Sequence, residues 1–328
     1  MQALKILLSA DAARHFDSHI ARTLGALPYR LLTPDDTSRE DADIAFVSRD
    51  VTGRSTKHDL TQETRRFYDA MLSAPKLRWV QAHSAGVDRP VFIELLQRGV
   101  CVTTSAGANA RTVAHAATAG LLALARRLPR LLAAQREHRW APLFGDAAPR
   151  DLASQTAVIV GYGAIGQRLA KLLDALEMNV IVVRREAGFA AAFPPTVALA
   201  TLDEVLPRAD WLVLACPLTP DTQHLIDARR LALLPQGAHL VNVARGEVVV
   251  EADLIAALRE KTLAGAYLDV FEHEPLNEAS PLWDMPAVIV TPHTAGHADS
   301  HYEAVGRIWL DNLARWSRGE ALVNEARV

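Results

Sequence analysis

The chain has 328 residues, of which half are hydrophobic and 22% are charged. This length suits two domains better than one, and the balance is that of a globular enzyme and not of a disordered chain. The 35 basic and 38 acidic residues are spread along the sequence and give a formal net charge of -3. We therefore expect neither a nucleic acid nor an anionic membrane as a partner.

Cys101 and Cys216 each stand inside a short apolar run. Two cysteines are too few for a disulfide framework and too widely spaced for a metal site, so we expect both to be reduced packing residues and no metal to be bound. The N-terminal apolar stretch is too short for a signal peptide, and no run reaches the length of a membrane span. These features favour a cytoplasmic protein.

The chain begins with a predicted strand over 4–8 and a helix that we expect Asp11 to cap. Three more apolar runs of strand length follow, separated by helical patterns. A polar stretch over 139–151 interrupts this rhythm, which restarts with six further runs and ends in one amphipathic helix over about 297–318. The ten predicted strands lie in LKILLS, DIAFVS, LRWVQA, VCVTT, TAVIV, NVIVV, DWLVLAC, GAHLVNVA, LAGAYLDV and AVIVTPH.

This alternation of strands and helices indicates an α/β protein with doubly wound, Rossmann-like parallel sheets. Continuous runs of Val, Ile and Leu are typical of strands that are buried on both faces.

A glycine motif, Gly161-Tyr-Gly163-Ala-Ile-Gly166, lies between a predicted strand and a strong helical pattern. Alone, such a motif is weak, because three glycines can simply form turns. In this context Gly161 permits a tight turn, Gly163 lets a pyrophosphate approach the backbone, and Gly166 allows close helix packing. The helix N-terminus then offers free N–H groups to the phosphates, so the motif predicts dinucleotide binding.

The residues after the second strand of this unit indicate which dinucleotide is used. Arg184 occupies the position, 23 residues after Gly161 (184 − 161), where NAD enzymes usually carry an acidic residue, and Arg185 follows it. A guanidinium can hold a 2′-phosphate that a carboxylate would repel. The arginines could instead be solvated, and Glu186 could still bind the ribose. We predict NADP as the preferred cofactor, with NAD possible.

Three further segments place polar side chains directly after apolar strands: Arg245 in VNVARGEVV, Glu274 in LDVFEHEP and His293 in TPHTAG. In a parallel sheet these positions lie at the carboxyl edge, where ligands bind. Arg can clamp a substrate carboxylate, His can exchange a proton with the neighbouring oxygen, and Glu can favour the charged imidazole. Each residue alone could be an ordinary surface or loop residue, but together they predict a reaction centre.

The sequence resembles the D-isomer-specific 2-hydroxyacid dehydrogenase family over essentially its whole length, nearest the glyoxylate/hydroxypyruvate reductase branch. The order and spacing of many motifs make this resemblance more specific than any single motif. These motifs are AHSAGVDRP (82–90), ANARTVAHA (108–116), GYGAIG, CPLTPDT (216–222), VNVARGEVV, LDVFEHEP and TPHTAG.

The resemblance implies reduction of a small 2-keto acid to the D-2-hydroxy acid by hydride transfer. Arg245 would bind the substrate carboxylate and carbonyl, His293 would be the acid/base, and Glu274 would be its partner. Ser84, Ala85 and Gly86 would complete the carboxylate site through their backbone. Besides the glycines and arginines above, the cofactor would contact Ala164, Ile165, Cys216, Pro217, Thr222, Val243, Ala244 and Asp269, with Asp269 near the nicotinamide carboxamide.

The family's architecture implies a discontinuous substrate domain, 1–104 plus 296–328, and a dinucleotide-binding domain, 105–295, with the substrate between the two. Members are generally homodimers joined through the cofactor domain, and Trp140 resembles a residue that reaches across the dimer. Where many relatives read VAEH, this chain reads Val113-Ala114-His115-Ala116, so an acidic residue is missing from the expected interface helix.

The histidines outside the triad, His83, His115, His297 and His301, are better explained as packing or rim residues than as catalysts. Among these four histidines, His83 and His297 are the strongest candidates for a role at the site, because each lies near a predicted site loop.

Several alternatives stay open at this point. Glu274 argues against a formate dehydrogenase, and HSAGVD lacks the Lys of phosphite dehydrogenases. Phosphoglycerate dehydrogenases often carry a regulatory domain, which we do not expect in this protein. A dinucleotide-sensing, corepressor-like scaffold would bind the cofactor with little turnover, which an intact triad disfavours.

Overall fold

The computed structural model describes residues 3–57, 59–186 and 194–326. The chain divides into two compact units. The first comprises Met1–Asn109 with Ala298–Val328, and the second comprises Ala110–His297. The discontinuous first unit and the two parallel-sheet units confirm the predicted fold class, whereas the assignment of one unit to the substrate and the other to the dinucleotide stays a prediction.

The first unit contains a five-stranded parallel sheet with the order β2-β1-β3-β4-β5. Helices connect the strands, and the C-terminal helix packs against the first helix. Its elements are β1 (Leu4–Leu7), α1 (Ala10–Leu24), β2 (Tyr29–Leu32), β3 (Ile44–Val47), α2 (Arg49–Thr52), α3 (Gln62–Leu72), β4 (Trp79–Ala82), α4 (Pro90–Gln97), β5 (Cys101–Thr103) and α11 (His301–Arg318).

The second unit contains a seven-stranded parallel sheet with the order β12-β11-β10-β9-β6-β7-β8. The chain runs outward from β6 in one direction and from β9 in the other, so the strand order reverses between these two neighbours. The elements are α5 (Ala110–Ala125), α6 (Leu128–Arg136), β6 (Thr156–Val160), α7 (Ala164–Ala175), β7 (Asn179–Arg184), β8 (Thr196–Ala198), α8 (Leu202–Val205), β9 (Trp211–Leu214), α9 (Ala228–Leu231), β10 (Ala238–Asn242), α10 (Glu251–Arg259), β11 (Leu263–Leu268) and β12 (Val288–Val290).

Successive residues of the central strands face opposite sides of the sheet and supply two separate cores. In β6, Val158 and Val160 join one cluster, whereas Ala157 and Ile159 join the other. All four are buried. This arrangement explains the uninterrupted apolar runs, because a parallel sheet covered by helices on both faces needs apolar side chains at every position.

All ten predicted strands are present, but two short strands were not predicted. β2 reads YRLL and β8 reads TVA, and both lie at the edges of their sheets. Their residues are mostly half-buried or exposed, so they lack the continuous apolar signature of the central strands.

Two details of the predicted helices are wrong. Ser9 caps α1, since its hydroxyl accepts a hydrogen bond from Ala12 N, and Asp11 lies in the first turn. There its charge still interacts favourably with the helix dipole. The C-terminal helix begins at His301, four residues later than expected, and of the residues before it 297 and 298 have no regular structure and 299 and 300 form a turn.

Both cysteines are free thiols, as predicted. Cys216 is buried, and Cys101 is half-buried against the core of the first unit. Burial raises the pKa of each thiol to about 11, so both stay protonated at neutral pH. Among the described residues, no helix has the length and apolar character needed to cross a membrane.

Candidate active site

The glycine loop joins β6 to α7 in the second unit, and two of its glycines are required by close backbone contacts. Gly161 has φ +102°, and a Cβ there would lie 2.7 Å from Ala215 O. A Cβ at Gly166 would lie 2.0 Å from Gly161 O. A Cβ at Gly163, the N-cap of α7, would meet nothing within 4 Å, so this side of the loop is open to a ligand. Ala164, which is exposed, and Ile165, which is half-buried, begin α7, and the N–H groups of this first turn have no partner within the helix.

A cavity of about 350 Å³ lies beside this loop, within the size range of small-molecule sites. Six residues predicted to bind the cofactor line it together: Gly161, Arg184, Arg185, Cys216, Pro217 and Thr222. The rest of the lining is Val160, Tyr162, Val183, Glu186, Leu199, Thr219 and Asp221.

The cavity lies at the carboxyl ends of β6, β7 and β9, at the point where the strand order reverses. Open α/β sheets bind ligands in this crevice. Its charged lining consists of two guanidiniums, Arg184 and Arg185, and two carboxylates, Glu186 and Asp221. The charges balance, so any discrimination between cofactors depends on which side chains meet the ribose.

A compact turn forms the opposite wall of the cavity. The buried Thr222 hydroxyl donates to Pro217 O at 2.7 Å and accepts from Thr219 N at 2.8 Å. These bonds hold the backbone that follows Cys216. Thr222 is predicted to contact the cofactor, and in the structure its hydroxyl also fixes the turn that forms this wall.

Arg245 follows the inner strand β10 by three residues. Its side chain is half-buried, and Nη1 donates to Ala244 O at 2.8 Å. Val243 and Ala244, which precede it, are buried and do not line the cavity described above. The next residue, Gly246, touches the chain that leaves β11: a Cβ at Gly246 would lie 1.8 Å from the carbonyl carbon of Phe271.

His293 and Glu274 form a direct pair at the ends of β12 and β11. The Nδ1 atom of His293 lies 2.8 Å from Oε2 of Glu274, and Oε1 of Glu274 accepts from Phe271 N at 3.2 Å. His293 adopts the left-handed backbone conformation, with φ +49°, which is uncommon for a residue other than glycine. About half of the imidazole surface is exposed. A histidine whose Nδ1 is held by a carboxylate and whose ring reaches solvent is suited to proton transfer at Nε2.

Asp269, at the end of β11, holds the loop that carries His293. Its buried carboxylate accepts from Thr291 Oγ1 at 2.6 Å and from the backbone N–H groups of Thr294 and Ala295. Its carbonyl oxygen also accepts from His293 N at 2.8 Å. These contacts explain how an unfavourable φ is maintained at His293, because surrounding bonds fix the loop.

Arg245, Glu274 and His293 thus follow β10, β11 and β12, which are consecutive neighbours in the sheet. These three side chains could be predicted to share one sheet edge because each of the three strands carries a recognisable apolar run.

Ser84, Ala85 and Gly86 belong to the first unit, where they follow β4. The Ser84 hydroxyl donates to Gly86 O at 2.7 Å, and Ser84 O accepts from Ser105 N at 2.9 Å. The loop is therefore folded on itself and tied to the end of β5.

The other histidines occupy different environments. His83 Nε2 lies 2.8 Å from Thr52 Oγ1, and His301 is buried with its ring edge toward His83. His297 Nδ1 lies 2.9 Å from Thr294 Oγ1, beside the His293 loop. His115 is exposed on α5.

The sequence matches the family described as D-isomer specific 2-hydroxyacid dehydrogenase, NAD binding domain, over residues 118–295, which is more than half of the chain. The chain belongs to this family. Glyoxylate reductase of Pyrococcus furiosus is 34% identical to this dehydrogenase over 261 residues, which cover 77% of each chain. D-3-phosphoglycerate dehydrogenase of Mycobacterium tuberculosis is 35% identical over 260 residues, 79% of this dehydrogenase and 49% of that relative.

Among solved structures, the NADPH-dependent glyoxylate/hydroxypyruvate reductase of Sinorhizobium meliloti, in complex with NADP and sulfate, is similar to this dehydrogenase. It is 27% identical, the TM-score is 0.77, and the similarity covers 98% of both chains.

The residues of the dehydrogenase fit a dinucleotide. The open face of Gly163, the N-terminus of α7 and the adjoining cavity provide space, N–H donors and cations where phosphates and ribose would bind. Sequence reasoning missed Tyr162, Leu199, Thr219 and Asp221 in the lining. The sequence carried a signal for three of them, because Tyr162 stands inside the glycine motif and Thr219 and Asp221 stand in CPLTPDT.

Proposed function

We propose that the protein is an NADP-preferring dehydrogenase that reduces a small 2-keto acid to the D-2-hydroxy acid. The observation that carries this proposal is the His293–Glu274 pair, with Arg245 on the neighbouring strand of the same sheet edge. A 2-keto acid offers one carboxylate and one carbonyl oxygen, which match one guanidinium and one proton donor.

In the proposed reaction Arg245 binds the substrate carboxylate and polarises the carbonyl. The nicotinamide, when bound, supplies the hydride to the carbonyl carbon. His293 donates the proton to the carbonyl oxygen from Nε2, while Glu274 accepts the Nδ1–H bond and favours the charged imidazole. In the reverse direction the neutral imidazole accepts that proton.

The proposed preference for NADP depends on Arg184 and Arg185 in the cavity lining. The name of the similar reductase from Sinorhizobium meliloti also includes NADPH dependence. Glu186 and Asp221 line the same cavity, and their carboxylates repel the 2′-phosphate of NADP. We therefore expect a moderate preference for NADP and measurable activity with NAD.

The substrate proposal favours glyoxylate and hydroxypyruvate, on the basis of the named activities of the relatives. The test is a steady-state assay of NADPH oxidation with glyoxylate, hydroxypyruvate, pyruvate and larger branched or aromatic keto acids. We expect the highest kcat/KM with glyoxylate or hydroxypyruvate. Highest activity with an aromatic keto acid would reject the proposed substrate class.

Two other activities are separated by the same assay. The similarity to a D-3-phosphoglycerate dehydrogenase motivates including 3-phosphoglycerate with NAD, and turnover exceeding that of the keto acids would favour this function. A dinucleotide-sensing scaffold would instead bind NADPH and show negligible turnover with every acid.

We also propose that Ser84, Ala85 and Gly86 contribute backbone donors to the carboxylate site.

We further propose that the protein is a homodimer through its second unit. The dimer proposal is supported by exposed apolar side chains on α6 and the segment after it, namely Leu128, Leu132, Trp140 and Phe144. Trp140 is 96% exposed, an unusual state for a tryptophan in a monomer. Sedimentation equilibrium should give twice the chain mass, and Leu132→Glu should reduce it to one, whereas Leu27→Glu on the first unit should not.

A further inference from the structure

We propose that Asn242 is a positioning residue for Arg245. Its carboxamide holds the backbone from which the guanidinium extends, and the inference rests on the function proposed above. Asn242 is the last residue of β10 and is 2% exposed. A polar side chain so deeply buried is costly unless its hydrogen bonds are satisfied.

The carboxamide of Asn242 makes two bonds, and both go to the segment that leads to Arg245. Oδ1 accepts from Ala244 N at 3.0 Å, and Nδ2 donates to Arg245 O at 3.1 Å. The reversed amide would place Nδ2 against an N–H and Oδ1 against a carbonyl, so these neighbours fix its orientation. Asparagine side chains commonly form such turns with the backbone two residues on.

On its other side the same segment is held by a tight turn and by packing, since Val248 N donates to Arg245 O at 3.2 Å and Val249 N donates to Gly246 O at 3.0 Å. Gly246 lies against the backbone of Phe271 so closely that a Cβ there would be 1.8 Å from a carbonyl carbon. Arg245 therefore lies between a hydrogen-bonded clamp, made by the Asn242 carboxamide, and a steric stop at Gly246. Removing the clamp should leave the stop in place, so the segment stays folded while the guanidinium loses its fixed starting point.

The backbone of Asn242 serves a different part of the site. Its carbonyl oxygen accepts from Asp269 N at 3.1 Å, and Asp269 in turn holds the loop that carries His293. This bond does not use the side chain and persists in any variant. A side-chain substitution should therefore disturb Arg245 and spare His293.

The test compares Asn242→Ala and Asn242→Thr with the wild type. Loss of the clamp should raise KM for the keto acid and lower kcat, with kcat/KM reduced on the order of 100-fold, which is the usual effect of misplacing a binding group by about 1 Å. The threonine hydroxyl can still accept from Ala244 N, so Asn242→Thr should recover part of this loss. The Kd for NADPH and the pH at which the rate declines should not change.

A double-mutant cycle with Arg245→Ala distinguishes positioning from stability. In the Arg245→Ala background, Asn242→Ala or Asn242→Thr should lower kcat/KM by less than about threefold, since the group it positions is gone. Asn312→Ala is the matched control, because Asn312 is another buried asparagine bonded to backbone atoms, in the first unit. Whatever factor Asn312→Ala produces should be the same in both backgrounds.

Equal losses from Asn242 substitution with and without Arg245 would overturn the inference, as would wild-type kinetics in both variants. If Asn242→Ala does not fold, Asn242→Thr carries the cycle. Failure of the proposed function would look different, because Arg245→Ala would then itself retain full activity.

Discussion

The Nδ1 atom of His293 lies 2.8 Å from a carboxylate oxygen of Glu274, although the two residues follow different strands and are 19 positions apart. The other oxygen of Glu274 is bonded to the backbone of Phe271, so the carboxylate is fixed at both ends. This geometry commits the ring to one tautomer when neutral, with the proton on Nδ1 and the lone pair on Nε2.

The first prediction concerns this pair. Glu274→Gln keeps the shape of the side chain but removes the negative charge that holds the imidazole ring. We expect kcat/KM to fall both for reduction of the keto acid and for oxidation of the hydroxy acid, because His293 transfers the proton in both directions. The measurement is kcat/KM in both directions at one pH. An unchanged kcat/KM would show that the pair takes no part in proton transfer.

His293→Ala should lose roughly 10²–10⁴-fold in kcat, the usual contribution of a positioned acid/base. The Kd for NADPH should stay close to that of the wild type. His19→Ala, on the exposed face of α1, is the matched control and should be fully active.

The second prediction concerns Arg245. Arg245→Ala should damage both KM and kcat by a combined 3–5 kcal/mol, the approximate cost of removing one member of a desolvated charged pair. Arg245→Lys keeps the charge but loses the planar fork, so only part of the activity should return. Steady-state kinetics with the best keto acid provide the comparison. A lysine variant as efficient as the wild type would show that bidentate geometry is irrelevant.

The third prediction concerns cofactor choice. A charge-assisted contact to the 2′-phosphate is worth about 1.5–3 kcal/mol, so kcat/KM with NADPH should exceed that with NADH by roughly tenfold to a hundredfold. Arg184→Asp should erode or reverse the ratio, because a carboxylate would then face the phosphate. Arg259→Asp, on the exposed end of α10, should leave the ratio unchanged. Equal efficiency of the wild type with both cofactors would contradict the assignment.

The fourth prediction concerns stability at low pH. His239 stacks on Trp211 with ring centroids 4.3 Å apart, and burial, followed by the nearby positive charges of Arg127 and Arg150, lowers the pKa of His239 to about 4. The unfolded chain, in which this histidine has a pKa near 6.5, therefore binds more protons between these two values. Stability due to His239 is fully present above pH 6.5 and is lost as the pH falls toward 4.

Between about pH 7.5 and pH 5 this histidine should cost about 2 kcal/mol in the free energy of unfolding. His239→Phe keeps an aromatic ring against Trp211 and should remove most of that loss in urea denaturation at the two pH values. Exposed His115→Phe is the control. The same acid loss in His239→Phe as in the wild type would show that other groups cause it.

The strands that build both sheets, and the residues expected at their carboxyl ends, could be read from the sequence, since buried parallel strands need apolar side chains on both faces. β10, β11 and β12 each carry a continuous apolar run, and Arg245, Glu274 and His293 follow these strands after three, six and three residues. The strands β2 and β8 could not be predicted, because Arg30 interrupts YRLL and TVA has a single Val, so neither carries a continuous apolar run.

Capping and loop support were decided by tertiary structure. Ser9 and Asp11 are both good capping residues in the sequence, and only the backbone geometry selects Ser9. Asp269 is predicted to contact the cofactor, and the structure adds that its carboxylate accepts three loop donors from residues more than 20 positions away. Asn242 gave no functional signal at all, although it stands inside a recognised motif.

The fold class, ten of the twelve strands and the chemical types of the site residues can thus be read from the amino-acid sequence. Periodicity and composition are local properties that a reader can see in a single segment. Only the tertiary structure decided which carboxylate meets His293, which asparagine holds Arg245 and which residues share the cavity with Arg184. Those choices depend on strand adjacency and on distances of about 3 Å between segments remote in the chain, and a linear pattern contains no such distances.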